Sequence, residues 1–248
     1  MKIIPNYSVI YSDDSILVVN KKSGMLTASD RYDNESPRLD LELKKEFGEI
    51  YAVHRIDKDA SGIVVYAKTE EAFTKLREQF EEKQVCKIYH CLINGHPMWE
   101  SIKCNSPIQP DCDDRHRSKV NKRFGKSALT NFKLIGTCGP YSWISAEPVT
   151  DRTHQIRVHL QEQGVCIVCD PLYSGNQKPV RLSDFKKKYN GDTETENPLL
   201  KRLAMHAYSI KFAHPVSGEP VEYFAPYPKD MDATRNQLAK VFKIDPIA

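Results

Sequence analysis

Apolar residues recur along the chain with two distinct periods. Val9-Ile10-Tyr11 and Ile16-Leu17-Val18-Val19, on either side of Asp13-Asp14, predict a hairpin that closes at Asn20-Lys21-Lys22-Ser23-Gly24. Residues 29–37 show no periodicity, whereas Leu39, Leu41, Leu43 and Phe47 predict a short helix ended near Gly48. A strand over 63–67 comes next. It is followed by a helix with Thr69 at its cap, Glu70 and Glu71 in its first turn, and Ala72, Phe73, Leu76 and Phe80 on one face. From Lys87 to Ile93 the pattern alternates, so Lys87 and Tyr89 share one face of a strand that Gly95-His96-Pro97 ends. Residues 104–125 are polar and loop-like. Strands at 128–135 and 141–147 lead to Thr150–Leu160, a helix running to Gly164 that Thr153 or Asp151 can cap, with His154 and Arg157 one turn apart. Beyond a turn at 170–175, the stretch 174–200 is poor in apolar residues and reads as a flexible insertion. A strand over 202–212, a returning strand at 221–224 and a helix over 230–242 complete the pattern.

One stretch interrupts the apolar runs with dense chemistry. Between Val53 and Ala67, the nine residues His54–Gly62 include Arg55, Asp57, Asp59 and Ser61. A polar loop held by two buried elements is where reacting side chains tend to sit, and a charged turn joining two strands is the other explanation of the same residues.

Composition adds limits. Hydrophobic content of 40% with 28% charged residues suits a soluble globular chain, and 36 basic against 33 acidic side chains leave a net charge of only +3. Overall charge therefore does not announce a nucleic-acid partner, and only local clustering can. Arg115, Arg117, Lys119, Lys122, Arg123 and Lys126 crowd into twelve residues, a run able to track a phosphate backbone or to form a solvated loop. Seven scattered cysteines suit reduced thiols in a cytoplasmic protein, and Cys166-Ile167-Val168-Cys169 reads as buried thiols because no second ligand pair accompanies it. His154 and His159 lack the acidic partner of a zinc-binding helix. The first six residues hold no leader-like apolar core, and no run approaches a membrane span, so a cytoplasmic location without membrane attachment is expected.

Taken in order, the motifs resemble the RluA family of RNA pseudouridine synthases. His54-Arg55-Ile56-Asp57 with Ala60-Ser61-Gly62 is similar to that family's HRLD-x-x-TSG, Lys87-Ile88-Tyr89 to its K-x-Y strand, and Arg152–His159 to its RTHQIRVH. Ile16–Gly24, Asp170–Gly175 and Leu203–Pro215 resemble three further segments, so the likeness spans about residues 9–228. Lys22, Asp151, Cys166 and Cys169 depart from the family's usual residues, and Asp151 puts a negative charge beside Arg152.

The resemblance implies an α+β fold, a mixed and mostly antiparallel sheet in two halves flanked by helices, with the active cleft between them. It implies one catalytic domain over 1–248, with no S4 RNA-binding domain ahead of it, acting as a monomer on ribosomal or transfer RNA without metal or cofactor. Asp57 would be the catalytic carboxylate, either nucleophile at C1′ or base at C2′. Arg157 would keep it ionised and oriented. Tyr89 and Ile156 would contact the uracil, and Arg55 would fill the position the flipped base leaves. Arg152, His154 and Gln155 would support the loop and the RNA backbone, while Asp59, Ser61 and Gly62 would shape the catalytic loop. Two alternatives stay open: an N-glycosidic hydrolase using Asp57 and Asp59 as paired acid and base, and a catalytically silent RNA-binding module using the basic run.

Overall fold

A computed structural model describes residues 6–175, 178–244 and 247. The first five residues, read above for a leader, and residues 176–177 of the expected insertion lie outside the described residues. In chain order the elements are β1 (Tyr7–Ser12), β2 (Ile16–Lys21), α1 (Leu39–Phe47), β3 (Tyr51–Ala52), β4 (Ser61–Ala67), α2 (Glu70–Glu81), β5 (Cys86–Asn94), β6 (Ser101–Cys104), β7 (Ile108–Gln109), β8 (Lys119–Val120), β9 (Thr130–Cys138), β10 (Tyr141–Pro148), α3 (Gln155–Glu162), β11 (Met205–Ala213), β12 (Pro220–Phe224) and α4 (Lys229–Phe242). The chain forms two compact units, Met1–Ile88 with His206–Pro226, and Tyr89–Met205 with Tyr227–Ala248. The α+β class is as expected, and within each unit the paired strands are antiparallel except β4 and β11.

In the first unit the strand order is β1-β2-β4-β11, with β12 on β11 and β3 on β4. Every residue of β4 is buried, which is why its sequence is a continuous apolar run and not an alternation. The predicted hairpin is present, with Val9 opposite Val19 and Ser12 opposite Leu17. Thr69 caps α2 by accepting the Ala72 N–H at 3.2 Å, and Ala72 and Leu76 bury the predicted face. The β4–β11 pairing explains Gly62. It has φ +119°, and an added Cβ would lie 2.2 Å from the Ala207 carbonyl oxygen, so only glycine lets the two backbones meet.

In the second unit β5-β10-β9-β6 form an antiparallel sheet in which β5, the first strand, pairs with β10, the last, and Trp143 of β10 is fully buried. The sequence pattern and the structure differ at three places here. First, residues 104–125 are not a plain loop, because β7 and β8 pair as a separate two-stranded sheet. Ile108 and Val120 anchor it in a cluster with Ala128, Val158, Leu172 and Tyr173, and two isolated apolar residues in a polar run leave no periodic signal. Second, α3 is capped by neither Thr153 nor Asp151. His154 occupies the cap position in the left-handed conformation, at φ 57°, and makes no side-chain cap bond. Third, the 174–200 stretch expected as a flexible insertion is tied down at several points. Val180 bridges Leu200, Lys178 pairs with Asp184 at 2.9 Å, and Phe185 is buried, with ring centroids 6.2 Å from Phe242 and 6.4 Å from Tyr141. Among the described residues, no helix is long and apolar enough to cross a membrane.

Candidate active site

The loop carrying Asp57 begins where β3 leaves its ladder. After Ala52 the main chain departs from β4, and the His54 ring takes its place: Nε2 accepts the Val65 N–H at 3.0 Å while the ring stacks on Phe80 at 4.9 Å. Residues 53–60 then run irregularly, and the Asp57 carbonyl accepts the Ala60 N–H at 3.1 Å to close a turn. Asp57 itself is half-buried.

That turn is held from beneath by Lys21, whose residue is 1% exposed. Its ammonium lies among four main-chain carbonyls, those of Lys22 at 3.0 Å, Met25 at 2.8 Å, Lys58 at 3.1 Å and Ala60 at 2.8 Å. Three protons shared over four acceptors satisfy both sides of a costly burial. Ser23 Oγ donates to the Asp59 carbonyl at 2.6 Å, and the Gly24 N–H to that of Lys58 at 2.9 Å. Every carbonyl from Asp57 to Ala60 thus accepts a hydrogen bond.

The loop's cations are met by the aperiodic segment at 29–37. Arg55 Nη1 lies 3.1 Å from Asp30, and Lys58 Nζ 2.8 Å from Asp33, whose carboxyl is held below the usual carboxylate range by Lys58 and then by Ser36. Arg55 is exposed. Ser61, expected to shape the loop, bonds the fully buried His206. His206 Nε2 donates to the Ala225 carbonyl at 3.1 Å, so in the neutral ring Nδ1 accepts the Ser61 hydroxyl at 3.0 Å.

The other predicted residues belong to the second unit. Tyr89 is buried on β5, opposite Ala146 of β10. Ile156 and Arg157 are buried in the first turn of α3. Arg157 Nε and Nη2 reach the two Asp170 oxygens at 2.8 and 2.6 Å, a fork whose side chains are 2% and 1% exposed, and its guanidinium lies 5.0 Å from the Tyr173 ring centroid. Asp170 also accepts the N–H groups of Leu172 and Tyr173 at 2.8 and 3.1 Å.

Tyr173 gathers this region. Its hydroxyl accepts the Ser118 N–H at 2.8 Å and donates to the Ser118 carbonyl at 3.1 Å, so the 3.0 Å bond to His154 is donated by Nδ1–H of the histidine. Gln155, the first residue of α3, braces the turn that precedes the helix. Its Oε1 accepts from Thr150 Oγ1 at 2.7 Å and the Arg152 N–H at 3.1 Å, and its Nε2 donates to the Leu129 carbonyl and Thr130 Oγ1. Arg152 Nε donates to the Ser127 carbonyl at 2.9 Å. The structure therefore gathers His154 and Arg157 around Tyr173 and ties Gln155 to Arg152, while Arg55 bonds Asp30 and Asp57 closes its own turn.

Lys21, Asp170 and Tyr173 have no role in the sequence-based site. Asp170 and Tyr173 lie in the noted segment Asp170–Gly175 and were legible as a motif, though not as partners of α3. The Cys166 S–H faces the Tyr173 carbonyl and the Cys169 S–H lies between those of Lys178 and Leu200, and burial pushes both thiols up. Among the described residues, no group of three or more His, Cys, Asp or Glu side chains could hold a metal ion.

Comparison with known proteins matches residues 15–162 to a family model described as RNA pseudouridylate synthase. Ribosomal large subunit pseudouridine synthase D of Neisseria meningitidis serogroup B is 34% identical over 230 residues, covering 90% of this chain and 59% of that protein. The chain thus spans about three fifths of that relative. The dual-specificity RNA pseudouridine synthase RluA of Haemophilus influenzae is 30% identical, covering 89% of this chain and 93% of its own length. Among solved structures, human RNA pseudouridylate synthase domain containing 4 superposes with a TM-score of 0.70 at 22% identity, over 93% of this chain and 92% of that one, a likeness of fold.

Proposed function

The chain belongs to the RNA pseudouridylate synthase family, and from that premise we propose that it isomerises a uridine of an RNA to pseudouridine with Asp57 as the reacting carboxylate. The observation that carries the assignment is the turn around Asp57, where a buried lysine and two neighbouring residues fix the main chain of the three residues that follow one half-buried acid. Such pre-positioning is what a single-carboxylate reaction requires.

The isomerisation breaks the bond from C1′ to N1, turns the uracil and joins C1′ to C5, with no net change of atoms. Asp57 acts in its ionised form, as nucleophile at C1′ or as base at C2′. Tyr89 and Ile156 hold the base, Arg157 is the charge partner of the reacting carboxylate, and Arg55 takes the place of the flipped nucleotide. Asp170 is a positioning residue, fixing the plane of the Arg157 guanidinium through the bidentate fork. Arg152, His154 and Gln155 support the turn that leads into α3, since each already bonds a neighbour in the same unit. The names of the relatives favour ribosomal RNA as substrate, with transfer RNA as the second possibility. The proposal is completed by a monomer working in the cytoplasm without metal or cofactor.

The deciding experiment is Asp57→Ala. Pseudouridine formation on total RNA should disappear while RNA affinity stays within about threefold, because one carboxylate contributes little to phosphate binding. Retained activity refutes the assignment. RNA mass is conserved in an isomerisation, so uracil among the products would instead mark an N-glycosidic hydrolase.

A further inference from the structure

The basic run at 115–126 divides into two sets of cations. Arg115 donates to the Pro171 carbonyl, and Arg117 reaches both Asp113, at 2.6 Å, and the Leu172 carbonyl, at 3.3 Å. With His116 on Asp111 at 2.7 Å, these residues brace the segment internally. Lys119, Lys122, Arg123 and Lys126 are different. All four are exposed, and no acidic residue lies between positions 119 and 126.

The tip that carries them is built to hold one shape. Ile108 and Lys126 exchange main-chain bonds of 2.9 Å, and β7 pairs with β8. Asn121 Oδ1 accepts the N–H groups of Arg123 and Phe124 at 3.0 and 3.1 Å, while its Nδ2 bonds Gln109 at 2.6 Å. Gly125 closes the turn on the Asn121 carbonyl at 2.8 Å. On this turn Phe124 is 65% exposed, with the Arg123 guanidinium 4.9 Å from its ring centroid. An exposed ring that adds nothing to the core, backed by a guanidinium and flanked by lysines, has the chemistry of a base-stacking platform beside phosphate contacts.

We propose that the tip at 119–126 is an RNA-docking platform, with Lys119, Lys122, Arg123 and Lys126 on backbone phosphates and Phe124 under an unpaired base. The proposal rests on RNA being the substrate. Ser118, bonded to Tyr173 Oη through both its N–H and its carbonyl, links the platform to the hydroxyl that also holds His154. Arg152, on the Ser127 carbonyl, adds a cation at its base.

The test uses the full chain and a labelled RNA stem-loop with an unpaired loop of mixed sequence, its affinity measured by anisotropy over a salt series. Lys122→Ala/Arg123→Ala/Lys126→Ala should lower the slope of log affinity against log salt by about 2, at about 0.7 per single-strand phosphate contact. Phe124→Ala should weaken binding roughly tenfold with the slope unchanged. The control, Lys186→Ala/Lys187→Ala/Lys188→Ala, removes the same charge from another exposed run and should change neither by more than about twofold. A platform triple variant that behaves like the control overturns the proposal. Polyglutamate binding as tightly as RNA, with no effect of Phe124→Ala, also overturns it and marks an acidic protein as the occupant. Pseudouridine formation by the parent with unchanged affinity in the platform variants sinks the platform alone. Platform-dependent binding without pseudouridine formation sinks the synthase assignment alone.

Discussion

Replacing Lys21 by methionine removes the support beneath Asp57 while leaving the side-chain volume almost unchanged. Four carbonyls lose a donor at 2.8–3.1 Å. Bonds to a charged group are worth about 1.5–3 kcal/mol each, whereas burying the ammonium costs several kcal/mol, so the two large terms largely cancel. What remains is the penalty for carbonyls left without a partner, reduced at Lys58 because its carbonyl keeps the Gly24 N–H. The net loss is about 2–4 kcal/mol, which for a chain of 248 residues is a fall in Tm of about 4–16 °C. The kinetic effect should exceed the stability effect. Below the melting range, the single-turnover rate of pseudouridine formation should drop at least tenfold with RNA affinity within about threefold, because displacement of the Lys58 and Ala60 carbonyls moves the turn that positions Asp57. Lys22→Met, an exposed neighbour with the same charge change, is the control and should be silent. A Lys21→Met protein melting within about 2 °C of the parent and reacting at the parental rate would refute the idea that this cation shapes the site.

Gly62→Ala should prevent accumulation of folded protein, since its Cβ would sit 2.2 Å from the Ala207 carbonyl oxygen at φ +119°; a soluble variant with the parental melting curve contradicts the close approach of β4 and β11. Asp170→Asn should destabilise by about 3–5 kcal/mol, measured by urea titration, because it removes the buried carboxylate charge forked onto the Arg157 guanidinium. Asp170→Glu, which keeps the charge, should recover part of that stability but little of the turnover rate, as the fork geometry changes. Stability should also fall with acid in a way that depends on His159. Burial holds this ring below its ordinary value of 6.5, outweighing the Ser106 carbonyl and Glu162, which pull upward. The unfolded chain therefore takes up a proton that the folded chain refuses. This contribution is whole above about pH 6.5 and is lost as pH falls towards the folded value. Urea midpoints between about pH 7.5 and 5.5 should slope less steeply in His159→Gln, and equal slopes would exclude the histidine as the cause.

How much of this was legible in the sequence depends on the range of the interactions. The β1–β2 hairpin, α2 with its Thr69 cap, and α4 follow from periodicity and local chemistry, and they form close to where the pattern puts them. The density of charge at 54–62 marked a loop of interest for the same local reason. Its supports were out of reach, because Asp30 and Asp33 lie 25 residues from their partners Arg55 and Lys58, and Lys21 lies 39 from Ala60. The start of α3 misled the local rules in another way. A cap was expected from Thr153 or Asp151, but Gln155 folds back onto the Arg152 N–H, an arrangement available only because Thr150 and Leu129 present the other halves of its bonds. The β7–β8 pair failed to register because two-residue strands carry no period, and its anchor, Tyr173, is more than fifty residues away in sequence.

The turn at 170–173 shows why these long-range contacts matter more than their number suggests. Asp170 fixes the Arg157 guanidinium from one side, and the Tyr173 ring lies against the same cation, while the Tyr173 hydroxyl ties down His154 and Ser118. The carbonyls of Pro171 and Leu172 accept from Arg115 and Arg117. Four consecutive residues therefore set the orientation of the charge partner proposed for Asp57 and the footing of the basic tip proposed to dock RNA. Because bonded groups with shared partners do not respond independently, the two proposed functions of this unit are coupled through that turn, and a disturbance of Tyr173 reaches both α3 and the platform before it reaches either one's own residues.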